Sequence, residues 1–195
     1  MKILVTGFKP FLGEKINPSE KLAIELSKLN AVTQSLILPV EFKKSFEILE
    51  ARLEQDLPEY LVMLGQASGR KNICLEKIGL NWMQSEHQDE SGYTPKSGRI
   101  DSDSALALLT EFPIDETYLF LKKNNFPVEI SFSAGTYVCN DLYFRTLQKF
   151  SYLNSIFVHV PLLPEQLSTN DLRPHVEYSK QFEVLSALIH FLIQK

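Results

Sequence analysis

What this chain has little of narrows its chemistry first. It holds two cysteines, Cys74 and Cys139, in 195 residues. They lie too far apart in sequence for a zinc-type pair, and a single bridge would be a poor staple for a chain of this length. Neither a metal site nor a disulfide framework is expected, and reduced thiols in a cytoplasmic setting are. Charge of one sign is not concentrated anywhere: 20 Lys and Arg are interspersed with 24 Asp and Glu, for a formal net charge of -4. Without a basic stripe, nucleic acid and anionic membranes are not expected partners. No long apolar run occurs either, since the first one, residues 3–6, stops at Gly7, far short of a leader core or a membrane span. A phosphate-cradling glycine loop with a lysine is also missing, which counts against a nucleoside phosphorylase-like transferase. No cofactor is expected.

What is present suits one globular domain over residues 1–195, with 44% hydrophobic and 23% charged content. Residues 3–6, 36–40 and 60–64 read as short buried strands. Asn17-Pro18-Ser19-Glu20 carries an N-cap, a proline at the first helical position and an early acid, followed by Leu22, Leu26 and Leu29 on one face. Phe42, Phe46, Leu49 and Leu53 mark a second helix. Between residues 73 and 82 the alternation slips after Leu75, which predicts a bulge or bend near Glu76. Residues 83–103 form a long polar connection, expected to be functional or mobile. Helices are predicted over 102–111 and 115–123, then a strand from Val128, a helix over 140–150, a strand ending at His159 and a closing helix from Tyr178. This alternation predicts an α/β fold, a three-layer α/β/α sandwich around a largely parallel mixed sheet.

Two residues in this frame carry chemistry. Cys139 falls where the strand from Val128 gives way to a helix, and a thiol at a helix start feels the positive end of the helix dipole. Taken alone, it reads sooner as a small buried hydrophobe than as a catalyst, because free cysteine is among the most buried residue types. His159 ends the next strand, one helix later. In a parallel sheet the tips of both strands would share one edge, where ligands of α/β folds collect. Cys74 reads as inert core, His87 and His175 as solvated, and His190 as a partly buried helix residue.

Five segments then occur in order: Gly7-Phe8-Lys9-Pro10-Phe11 with Asn17-Pro18-Ser19; Gly65-Gln66-Ala67-Ser68-Gly69-Arg70; Leu75-Glu76-Lys77; Ser133-Ala134-Gly135-Thr136-Tyr137-Val138-Cys139-Asn140; and His159-Val160-Pro161 with Pro164-Glu165-Gln166. Together they resemble pyroglutamyl peptidase I, the pyrrolidone-carboxylate peptidase family. The resemblance implies a cysteine exopeptidase that removes the N-terminal pyroglutamyl residue from peptides. It implies Cys139 as nucleophile, His159 as base and Glu76 as the acid that orients the imidazole. Phe8, Phe11 and Tyr137 would clasp the lactam, Val138 would close its side, and Gln66 would meet its amide groups. It also implies self-association, as tetramer or dimer. One departure stands out: the family carries an oxyanion-assisting arginine shortly after the catalytic Glu, whereas this chain reads Trp82-Met83-Gln84-Ser85-Glu86-His87-Gln88. Arg99 is the candidate replacement. The alternative expectation is a homologue that binds pyroglutamyl-like ligands without turnover.

Overall fold

In a computed structural model describing residues 1–195, six strands form the central sheet in the order β2-β1-β3-β8-β4-β7. These are β1 (Ile3–Phe8), β2 (Thr33–Leu38), β3 (Tyr60–Gln66), β4 (Ile73–Glu76), β7 (Val128–Ser131) and β8 (Asn154–Val160). The first four in that order run parallel, β4 runs antiparallel to β8, and β7 runs parallel to β4. The sheet is therefore mixed and mostly parallel. Period-two side chains put Ile3, Val5, Val62, Leu64, Ile156 and Val158 on one face, against α1 (Pro18–Leu26), α3 (Ile114–Lys123) and α5 (Tyr178–Ile193). Leu4, Leu61, Met63 and Phe157 point to the other face, against α2 (Lys44–Gln55) and α4 (Val138–Lys149). The result is the expected three-layer α/β/α sandwich.

Local signals placed most elements. The Asn17 side chain accepts the Ser19 N–H at 3.1 Å and Pro18 opens α1, so the cap reads as the sequence predicts. Such a bond contributes about 1 kcal/mol.

Three expectations are corrected. The predicted helix over 102–111 is instead β6 (Ala107–Leu109), antiparallel to β5 (Ile78–Leu80) in a separate two-stranded sheet. The cause is tertiary: the Asn81 amide donates to the carbonyls of Asp101, Ser104 and Ala105 and accepts the Asp101 N–H, which diverts groups a helix would pair. The slip near Glu76 takes the second of its two expected forms, a bend: there the chain leaves one sheet for the other, with Lys77 as the joint. β7 and β8 run in opposite directions, so the strand tips before Cys139 and at His159 do not share an edge through parallel pairing. His190 is exposed and hydrogen-bonds Gln194.

The connection over 83–103 is tied down at several points. Met83 and Gly98 form a bridge, and the buried Asp89 carboxylate accepts the N–H groups of Phe42, Ser91 and Tyr93. Burial pushes its pKa up, but the Ser91 hydroxyl, which donates to Oδ1 at 2.7 Å, and those three N–H groups together hold it below the usual carboxylate range. No helix is long and apolar enough to cross a membrane.

Candidate active site

Since strand direction does not bring Cys139 to His159, two other features do. After Ser131 the chain turns through Gly135, at φ 80, a left-handed conformation suited to glycine, and enters α4 on the face that carries Met63 and Phe157. The β3–β8 register then sets Gly65 beside His159. A Cβ built on Gly65 would lie 2.9 Å from Cys139 Sγ and 2.7 Å from Phe157 Cζ. The missing side chain of Gly65 is the space in which the sulfur rests, one strand away from the imidazole.

Behind His159 is a buried carboxylate. Glu76 is 0% exposed and its Oε1 lies 2.8 Å from His159 Nδ1. An ionised carboxylate only accepts, so Nδ1 carries the hydrogen and Nε2 is left as the basic nitrogen. The Arg70 guanidinium lies 3.4 Å from the same oxygen and also donates to Ser131 Oγ at 3.2 Å and to the Ser133 carbonyl at 3.1 Å. It therefore braces the carboxylate and the loop leading to Cys139 together. The Tyr143 hydroxyl donates to the Glu76 carbonyl, which fixes the backbone from the opposite helix.

Cys139 lies at the second position of α4. Its N-cap residue, Tyr137, makes no side-chain capping bond, and the N–H groups of Val138, Cys139 and Asn140 have no acceptor within the chain. Burial pushes the Cys139 thiol up to about 12, the Glu76 charge adds to the rise, and its own backbone N–H opposes it. Cys74 is also pushed up by burial and by its bond to Glu129, consistent with an inert thiol. Both cysteines are unpaired.

Cys139 and His159 face one cavity of about 120 Å³. Phe8, Phe11, Gln66 and Tyr137 line it as expected, and Asn17, Val40 and Ala134 join them. Val138 does not: it is 0% exposed and packs into the core under α4. A residue before the nucleophile points away from it once the helix begins. The Tyr137 hydroxyl leaves the cavity to donate to the Gln88 carbonyl at 2.8 Å. Arg99 is exposed, donates to the Ser102 carbonyl at 2.9 Å and does not line the cavity. Sequence spacing gave no signal for Val40, whereas Asn17 was legible as a cap and as part of an ordered motif, without a place in the cavity.

Gly65→Ala is expected to lower kcat/KM about 100-fold, because its methyl group displaces the sulfur by a fraction of an ångström or more. Steady-state kinetics on the folded variant checks this. Unchanged kinetics would mean that the sulfur has room to spare.

An α/β sandwich in which a thiol and an imidazole share one cavity, with a carboxylate buried behind the imidazole, has the groups that nucleophilic catalysis by a thiol requires. A model of the pyroglutamyl peptidase family matches residues 1–195. The chain is 36% identical to the pyrrolidone-carboxylate peptidase of Lactobacillus acidophilus, over 97% of each chain. It is 33% identical to that of Thermosipho africanus, over 100% of this chain and 98% of the relative. Among solved structures, the pyrrolidone carboxyl peptidase of Fervidobacterium islandicum superposes with a TM-score of 0.93 at 32% identity, covering 100% of this chain and 99% of its own. The chain belongs to the pyroglutamyl peptidase family.

Proposed function

We propose that the protein hydrolyses the bond after an N-terminal pyroglutamyl residue of a peptide, with Cys139, His159 and Glu76 acting together. The observation that carries this reading is the 2.8 Å contact of the buried Glu76 carboxylate with His159, beside a cavity that also exposes Cys139. The thiol is protonated at rest, so its proton passes to His159 Nε2 as Sγ bonds to the pyroglutamyl carbonyl carbon. The carbonyl oxygen becomes an anion held by the free N–H groups at the start of α4. His159 returns the proton to the leaving amine as the C–N bond breaks, which leaves an acyl-thioester. Water, deprotonated by the same nitrogen, then releases pyroglutamate and restores the thiol.

The cavity walls are aromatic and suit the face of a flat lactam. The Phe11 and Tyr137 rings lie 6.4 Å apart at 29°. A flat ring held between them needs about 7 Å, two contacts of about 3.5 Å each, so the two rings part slightly to admit it. A lactam carries no ammonium group, and no acidic side chain lines the cavity.

One observation favours a second reading, in which ligands bind without turnover: no arginine lines the cavity. Losing one oxyanion donor costs roughly 100-fold or more in rate, so weakened turnover belongs to the same reading. A fluorogenic L-pyroglutamyl amide separates the two. Release of the amine, blocked by iodoacetamide, is the expected result; calorimetric binding of 2-pyrrolidinone with no release would favour the second. A cytoplasmic location, with two reduced thiols, and a dimeric or tetrameric assembly are part of the proposal, supported by the unpaired cysteines and the family resemblance respectively.

A further inference from the structure

Two amide side chains line the cavity: Asn17 is fixed by its bonds to Ser19 and to the Lys9 carbonyl, whereas Gln66 could present either its Oε1 as an acceptor or its Nε2 as a donor. Which end faces a ligand is decided outside the cavity. Gln166 closes a single 3-10 turn, Pro164–Gln166, and does not line the cavity. Its Oε1 accepts the Leu163 N–H at 2.9 Å, and its Nε2 lies 3.4 Å from the Ile16 carbonyl oxygen. A backbone N–H only donates and a carbonyl only accepts, so both ends of the Gln166 amide are assigned without choice. Its Nε2 also donates to Gln66 Oε1 at 2.9 Å. Gln66 must therefore keep its oxygen toward Gln166, and its Nε2, which makes no bond within the chain, is the end left for a ligand.

We infer that Gln166 is a positioning residue that locks Gln66 as a hydrogen-bond donor, so that this subsite selects a ring with a carbonyl oxygen and rejects the same ring without one. The inference rests on the lactam-binding part of the preceding reading and extends it to the origin of the selectivity. A five-membered ring bearing only CH2 at that position leaves the Gln66 N–H groups unpaired. An unmet hydrogen bond in a site built to make it discriminates more strongly than shape does.

Gln166→Glu tests the lock, because a carboxylate still accepts the Leu163 N–H but has no hydrogen for Gln66 Oε1. Gln66 then turns its Nε2 toward Glu and its oxygen toward the ligand, acceptor against acceptor. The expected result is a 10- to 100-fold weaker affinity for 2-pyrrolidinone, about the cost of leaving a buried polar group unpaired. KM for the pyroglutamyl amide rises in parallel, while kcat and the rate of Cys139 alkylation stay within about threefold, the pattern of a group that holds substrate and transition state alike. In a Gln66→Leu background the same substitution changes affinity less than about twofold, since the two side chains act through one bond. Gln166→Met, which leaves Gln66 free to turn either way, gives a smaller loss of about two- to fivefold and serves if the Glu variant fails to fold. An unchanged affinity, a loss that persists in the Gln66→Leu background, or a fall in alkylation matching the fall in kcat would each overturn the inference. The titration does not depend on turnover, so a wild-type chain that binds the lactam without cleaving the reporter refutes only the hydrolytic reading. A chain that binds no lactam overturns both.

Discussion

Cys139→Ala is expected to abolish amine release from a pyroglutamyl amide, by about 10⁴-fold or more, while lactam affinity stays within about threefold. The two effects separate because the sulfur supplies the bond-forming atom, whereas the cavity walls are Phe8, Phe11, Gln66 and Tyr137. Truncation also relieves rather than tightens the contact above Gly65, where the sulfur fits only because that residue has no Cβ. Binding therefore serves as the internal control for folding. Calorimetry with 2-pyrrolidinone alongside the reporter assay reads both quantities on one preparation. Residual turnover above about a hundredth of wild type would remove Cys139 from the nucleophile role.

Glu76→Gln should give the second largest loss, about 10³- to 10⁴-fold in kcat with KM little changed. The amide retains the shape but not the charge that stabilises an imidazolium at 2.8 Å. It also retains only one acceptor, and both His159 Nδ1 and the Arg70 guanidinium now approach Oε1. If the amide turns over, its NH2 meets the His159 N–H, and the imidazole is driven to the tautomer whose Nε2 carries a hydrogen and cannot act as base. Stability should fall far less than activity. Arg70 is about one-third exposed and keeps its bonds to Ser131 and Ser133, so it is not left as a stranded buried cation. Thermal melting combined with single-turnover kinetics checks the split. A melting loss large enough to account for the missing activity would assign Glu76 a structural role alone.

Much of the fold was legible because its signals are local. The Asn17–Pro18 start of α1, the 3.6-residue spacing of Phe46, Leu49 and Leu53 in α2, and the apolar runs of β1 and β3 each lie within a few residues of chain. The misread element was residues 102–111, where good helix formers were overruled by Asn81, some twenty positions away, holding their carbonyls. In the candidate site, Cys139, His159, Phe8, Phe11, Gln66 and Tyr137 do line one cavity, and Glu76 lies behind it. Val138 was misplaced because its neighbour's role says nothing about which way a helix turns its own side chain. Arg99 has the charge for an oxyanion donor, but its loop directs it to Ser102.

The sequence by itself determined most of the strands and helices, that a thiol would open a helix after β7, and which family's ordered motifs the chain carries. Periodicity, capping and motif order are properties of neighbours along the chain. Only the tertiary structure decided that β7 opposes β8, that Gly65 makes room for the sulfur beside His159, and that Gln166 fixes the polarity of Gln66 from one hundred residues away. Those facts depend on strand register, close packing and the one-way character of N–H and C=O groups, none of which is written in the spacing of residues.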